Sequence, residues 1–116
     1  MTFTEQVNVK LLEINEEELV SKSNIIGVAQ YISELSGFMG RITQEVARRR
    51  AAYNLCLNRC LTSENKSVSY AKVAAEASIE YAELENAKAL REAVVERIRG
   101  LKYLQRSMRE DEFQQQ

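Results

Sequence analysis

Apolar residues recur at alternating spacings of three and four residues along most of the chain, in two long series. This spacing is typical of helices that bury one face against a partner helix. The first series comprises Ile25, Val28, Ile32, Leu35, Met39, Ile42, Val46, Tyr53, Cys56 and Cys60. The second series comprises Tyr70, Val73, Ala77, Leu84, Ala87, Val94, Ile98, Leu101 and Met108. The pattern therefore predicts two long helices.

A polar run, Thr-Ser-Glu-Asn-Lys-Ser at residues 62–67, separates the two series. Such residues favour turns and helix caps. A short turn makes consecutive helices antiparallel neighbours. The sequence therefore predicts an all-α fold in which residues 24–110 form a long antiparallel helical hairpin, with its turn centred on residues 64–65.

The ends of the chain follow other patterns. Val7, Val9 and Leu11 alternate with polar residues, which is typical of a strand or an extended arm. Asn15, followed by three glutamates, predicts the start of a short helix. We therefore expect an N-terminal arm and short helix at residues 1–23, and a flexible polar tail at residues 111–116.

Three consecutive arginines interrupt the first apolar series, with Arg49 on the series itself. Folding the chain at residues 64–65 places Arg49 opposite Glu80, and glutamates of the second helix lie along the neighbouring arginines. A charged pair within an apolar interface can fix the register of two helices. Arg48 and Arg50 then either pair between the helices or face a ligand.

A second face on each predicted helix carries small residues. On the first helix these are Ser33, Ser36, Gly40, Thr43, Ala47 and Asn54, and on the second Ala71, Ala75, Ser78, Ala82, Ala89 and Ala93. A two-helix hairpin buries one face of each helix, and a hairpin of this size has a small core. Because small side chains let other helices approach closely, the pattern favours a homo-oligomer, although alanine is also simply a good helix former.

The composition argues against catalysis and metal binding. The chain has no histidine, one aspartate and no glycine-rich phosphate loop. Its two cysteines, Cys56 and Cys60, cannot complete a tetrahedral zinc site and are expected to be reduced. With no apolar run long enough to span a membrane and no signal-peptide pattern, we expect a cytoplasmic, non-enzymatic protein without cofactors.

Charge is unevenly distributed, although the net charge is only −1. The region of residues 88–109 is strongly basic and contains only two glutamates. Four of its cations share one helical face, with Tyr103 beside them: Arg99, Lys102, Arg106 and Arg109. A basic face next to an aromatic ring is suited to single-stranded nucleic acid. The alternative is a solvated face balanced by the glutamates of residues 16–18 or by the acidic residues 110–112.

Two stretches within residues 24–110 carry a resemblance to a known family. They are ARRRAAYN, which includes Arg48, Arg50 and Tyr53, and VVERIRGLKYLQRSMRE at residues 94–110. In this organisation the chain resembles the UvsY-type recombination mediators of tailed phages, whose turn is richer in glycine and basic residues. The resemblance implies an oligomeric helical protein of the bacterial cytoplasm that binds single-stranded DNA. It also implies a recombinase or a single-strand-binding protein as partner.

The leading hypothesis is therefore a recombination-mediator-like protein that binds single-stranded nucleic acid. The nucleic-acid-binding residues would be Arg99, Lys102, Tyr103, Arg106, Arg109, Arg48 and Arg50. Two alternatives use helical surfaces for protein contacts only. One is a structural or assembly scaffold or adaptor, and the other is a small helical inhibitor of a host protein.

Overall fold

The computed structural model describes residues 1–62 and 67–114, with side chains as far as residue 111. Within this part of the chain the secondary structure is entirely helical. The helices are α1 (Phe3–Glu13), α2 (Glu16–Ser21), α3 (Ile25–Thr62), α4 (Val68–Glu76) and α5 (Ile79–Gln114). The long helices α3 and α5 pack together, which confirms the predicted all-α hairpin. The predicted turn at residues 64–65 lies outside the described residues.

Helix α1 replaces the predicted extended arm, which was wrong. Thr2 Oγ1 accepts a hydrogen bond from the Glu5 backbone N–H at 3.1 Å, and the Thr2 N–H donates to Glu5 Oε2 at 3.4 Å. This reciprocal capping box starts the helix. The alternation of Val7 with its neighbours is incidental, because Val7 is fully buried while Val9 is half exposed.

The short helix α2 and the start of α3 follow the prediction. Asn15 Oδ1 accepts from the Glu18 backbone N–H at 3.1 Å, and Asn24 Oδ1 accepts from the Gly27 backbone N–H at 2.9 Å. A side chain at residue 27 would bring its Cβ within 2.5 Å of Asn24 Nδ2. Gly27 is therefore required by the cap that starts α3.

The second long helix is interrupted, which the sequence pattern did not predict. Helix α4 ends at Glu76, and Ser78 Oγ accepts from the Tyr81 backbone N–H at 3.2 Å to cap the start of α5. The interruption changes which face of α4 is inward: Ala71 is fully buried, whereas Val73 is exposed. The predicted apolar face of α4 was therefore wrong by one residue. At the other end, α5 continues to Gln114, so residues 111–114 of the predicted tail are helical, and residues 115–116 lie outside the described part.

The chain divides into two compact units, and α3 and α5 contribute segments to both. Unit 1 comprises Met1–Gly40 and Glu92–Gln116. Its core contains apolar side chains of α1, α2, α3 and α5. They are Val7, Ile14, Leu19, Val28, Leu35, Val94, Leu101 and Met108. At its edge the rings of Phe3 and Phe38 meet nearly perpendicularly, with centroids 5.7 Å apart.

Unit 2 comprises Arg41–Arg91 and contains segments of α3, α4 and α5 only. Its buried residues are Ile42, Val46, Ala71, Ala75 and Leu84. The rings of Tyr53 and Tyr81 also pack together, with centroids 5.5 Å apart. The two buried alanines show that part of the small-residue face on the second helix packs within the chain, whereas the small residues predicted on α3 are exposed.

Candidate nucleic-acid interface

The predicted basic face lies on α5 within unit 1. We call Arg99, Lys102, Arg106 and Arg109 the basic stripe, and all four side chains are exposed. Buried Leu101 and Met108 fix the orientation of the helix. At about 100° per residue, Arg99 and Arg106 each lie two positions before a buried residue and so point away from the core.

Most of the basic stripe is not neutralised by the side chains that the structure describes. Arg99 Nη1 donates to Glu96 Oε1 at 2.9 Å on the surface of α5. Lys102, Arg106 and Arg109 form no ion pair with any residue that the structure describes. Three cations of the stripe therefore remain available to phosphate groups.

Tyr103 supplies an exposed aromatic ring beside these cations. Its side chain is 74% exposed, and it follows Lys102 directly and precedes Arg106 by less than one helical turn. A buried tyrosine would serve packing, but a ring this exposed leaves its face open to solvent. A nucleobase could stack on it while the neighbouring cations contact the phosphates.

Two of the three glutamates at residues 16–18, Glu16 and Glu18, pair with cations outside the stripe. Glu16 Oε1 lies 4.0 Å from Arg97 Nη1, and Arg97 is not one of the four stripe residues. Glu18 binds Lys22 within α2, with Lys22 Nζ at 2.7 Å from Glu18 Oε1. Hydrogen bonding to Lys22 lowers the pKa of Glu18. Among the described side chains, neither these glutamates nor Glu110 and Asp111 form an ion pair with the stripe, and the side chain of residue 112 lies outside the described part.

The remaining candidates, Arg48 and Arg50, lie in unit 2 rather than with the stripe. Arg48 Nη2 is 2.8 Å from Glu45 Oε2, and its side chain is exposed. Arg50 is exposed and has no ion-pair partner in the described part of the chain. Because Arg48 is already paired within its own helix, it is less available to a ligand than the unpaired residues of the stripe, whereas Arg50 stays a candidate.

Arg49 belongs to the packing of unit 2, but the predicted partner was wrong. Its guanidinium binds Glu45 at 2.8 Å and, across the helix pair, Glu83 instead of Glu80. The observed partner lies three residues further along the chain than the predicted one, beyond an interruption at residues 77–78 where the prediction assumed one continuous second helix. At 33% side-chain exposure, this pair is too accessible for the large energies of a buried ion pair.

The two cysteines show no sign of activation. Cys56 and Cys60 are half-buried free thiols. Burial, with a further contribution from the Cys56 thiol, raises the pKa of Cys60, which lowers the fraction of reactive thiolate. Across the described residues, no group of three or more histidine, cysteine, aspartate or glutamate side chains could hold a metal ion.

The described helices also contain no segment long and apolar enough to cross a membrane. Comparison of the chain with protein-family models, with curated proteins and with solved structures finds no match. Function is therefore inferred from the arrangement of side chains and from the sequence-level resemblance.

Proposed function

We propose that the chain is a non-enzymatic, self-associating helical protein that binds single-stranded nucleic acid through the basic stripe of α5. One observation carries the proposal. Lys102, Arg106 and Arg109 are exposed and form no ion pair among the described residues, and the exposed ring of Tyr103 lies beside them. Both chemical features that single-strand binding requires are thus on one helical surface.

The two features would make different contributions. From Lys102 to Arg109 the stripe extends about 10 Å along the helix, at about 1.5 Å per residue. Cations along this length would contact successive phosphates and release their counterions, which makes binding sensitive to salt. Stacking on Tyr103 requires an accessible base face, which a single strand offers and an intact duplex hides. This favours single strands over duplexes.

The resemblance to UvsY-type recombination mediators supports a more specific role. In that role the protein would bind single-stranded DNA in the bacterial cytoplasm and help a recombinase to replace a single-strand-binding protein. Self-association would align several basic stripes and increase the local positive potential along a bound strand. This role requires binding alone and includes no catalytic step.

A binding experiment tests the proposal directly. We expect a fluorescently labelled 40-residue oligothymidine to gain anisotropy when the protein is added at low salt. The logarithm of the association constant should fall with the logarithm of the salt concentration, by about 0.7 for each phosphate contacted. An anisotropy that does not rise at low salt, with micromolar helical protein present, would exclude the proposed function.

A second function, that of an assembly scaffold or adaptor, is favoured by unit 2. Leu55 and Ile79 are exposed there, and exposed apolar side chains support protein contacts. A scaffold would form stable oligomers but would not bind the oligothymidine. Light scattering and anisotropy on the same sample therefore distinguish the two functions.

A further inference from the structure

Among its described residues, unit 2 exposes more large apolar side chains than it buries. Five of them are between 54% and 70% exposed: Leu55, Val68, Tyr70, Val73 and Ile79. The buried residues described in the same unit include three large side chains, Ile42, Val46 and Leu84. A helical pair with so small a core gains stability when a further surface covers it.

The α3 segment of unit 2 has an exposed surface that a partner could cover, and this surface is basic. Residues 41–62 contain five arginines and one glutamate. Exposed Leu55 lies seven residues after Arg48 and four residues before Arg59, so the three side chains share one face of α3. Arg59 is exposed and has no ion-pair partner among the residues that the structure describes.

The α4–α5 segment of unit 2 offers a second surface, and it is acidic. Residues 67–86 contain four glutamates and one lysine. Exposed Ile79 begins α5 and lies within four residues of Glu76, Glu80 and Glu83. Within the described residues, neither Glu76 nor Glu80 is engaged in an ion pair, while Glu83 binds Arg49 of its own chain.

We infer that these two surfaces bind each other in separate copies of the chain, with Leu55 of one copy packing near Ile79 of the next. A contact between two α3 surfaces would oppose arginines, and a contact between two α4–α5 surfaces would oppose glutamates. Only the mixed contact places opposite charges around an apolar centre.

This contact occurs twice in a closed dimer and repeats in a head-to-tail assembly. The inference rests on the self-association that the proposed function includes, but not on nucleic-acid binding. The two claims can therefore fail independently. Light scattering tests the contact between copies through the mass, and fluorescence anisotropy tests nucleic-acid binding.

Charge reversal with mixing tests the inference. Variant A carries Arg48→Glu and Arg59→Glu, and variant B carries Glu76→Arg and Glu80→Arg. By light scattering, the wild-type chain should have a mass of at least twice 13.3 kDa, the mass of one chain. Each variant alone should fall to the mass of one copy, because like charges then meet. An equimolar mixture should recover the wild-type mass, because reversed surfaces complement each other.

Three results would overturn the inference: a monomeric wild-type protein, variants that keep the wild-type mass, and helical variants whose mixture stays monomeric. Ile79→Asp provides a second test. This variant should stay folded, because a negative charge is favourable in the first turn of α5. It should lower the mass. Ile26→Glu, at a position of unit 1 that is 73% exposed, is the matched control and should not.

A charge-reversed stripe serves as the control for function. Lys102→Glu with Arg106→Glu should abolish oligothymidine binding and leave the mass unchanged. If this variant became monomeric while variants A and B remained oligomeric, the contact between copies would involve unit 1, and the inference would be wrong.

Discussion

Units 1 and 2 use segments of the same two long helices, yet they are stabilised differently. In unit 1, α1 and α2 add Val7, Ile14 and Leu19 to the core that α3 and α5 supply. The described part of unit 2 consists of segments of α3, α4 and α5, and α4 contributes only alanines to its core. Pairing two amphipathic helices is therefore enough to define a fold, but the extent of buried apolar surface depends on what packs against the pair.

The polar contacts of the two units are, by contrast, similar. In unit 1, Lys10 Nζ lies 2.9 Å from both Glu13 and Glu34 and 5.9 Å from the centre of the Tyr31 ring. Hydrogen bonds to these carboxylates raise the pKa of Lys10. In unit 2, Arg49 joins one carboxylate of its own helix to one of α5. Each unit thus has a cation that links two helices, so the difference between the units lies in apolar burial.

The largest expected effect concerns matched core substitutions in the two units. Leu35→Ala in unit 1 should cost about 3–5 kcal/mol of unfolding free energy, because Leu35 is fully buried in a core that four helices form. Leu84→Ala in unit 2 should cost less, about 2–3 kcal/mol, because Leu84 is 5% exposed and lies in the smaller core. Urea denaturation followed by circular dichroism, at one protein concentration, measures both. Equal costs would remove the proposed distinction between the units.

A smaller effect is expected for the exposed ring of unit 1. Tyr103→Ala should weaken single-stranded DNA binding by about 1–3 kcal/mol, because a stacked base loses its partner. The salt dependence should stay the same, because stacking releases few ions. Tyr103→Phe, which keeps the ring, should bind as the wild type does. Anisotropy titrations at several salt concentrations measure both quantities, and an unchanged affinity for Tyr103→Ala would contradict the stacking role.

The charges of the two units should differ in their effect on salt dependence. Lys102→Ala with Arg106→Ala should lower the log–log salt slope by about 1.4, because two phosphate contacts are lost. Arg48→Ala with Arg50→Ala removes the same number of charges from unit 2 and should change the slope less, since Arg48 is already bound to Glu45. Equal changes would indicate that the nucleic acid follows both units.

The smallest effect concerns the carboxylate that Arg48 and Arg49 share. The hydrogen bond from Arg48, assisted by Arg49, lowers the pKa of Glu45. A lowered folded-state pKa stabilises the protein above the unfolded value of about 4.3, and this contribution is lost as the pH falls through the folded value. Glu45→Gln should thus be destabilising by less than about 1 kcal/mol at pH 7.

The difference between this variant and the wild type should be smaller at pH 3 than at pH 7, because protonation of Glu45 removes its charge. Urea midpoints at both pH values measure it. Glu110→Gln is the control, because Glu110 is exposed and has no ion pair among the described residues. A Glu45→Gln effect that was as large at pH 3 as at pH 7 would show that shape or packing, rather than charge, is responsible.

The hairpin could be predicted from the sequence because the apolar residues that form the clearest repeat are also the residues that form its core. Val28, Leu35 and Ile42 on α3, and Val94, Leu101 and Met108 on α5, repeat every seven residues and are all buried. Helix α1 was missed because the alternation of Val7 and Val9 imitates a strand. The Thr2 and Glu5 capping box was the signal that could have identified it.

The interruption at Ser78 could not be predicted, and neither could the register of Arg49 and Glu83 or the inward face of α4. A serine within an otherwise helical pattern either remains in the helix or caps a new one, and local spacing does not decide between these. For the candidate interface, spacing alone placed the basic stripe on one face. The pairing of Glu16 with Arg97 depends on tertiary packing and could not be read from the sequence.

The composition of unit 1 has a consequence for the order of folding. Its larger core joins Met1–Gly40 to Glu92–Gln116, segments that the whole of unit 2 separates in sequence. Unit 2 closes a shorter loop between consecutive helices and loses less chain entropy as it forms. As the chain leaves the ribosome, unit 2 can assemble before residues 92–116 have been synthesised, and these residues complete the unit to which α1 and α2 belong. Helices α1 and α2 are therefore synthesised first but reach their final packing last, although they belong to the unit with the larger core.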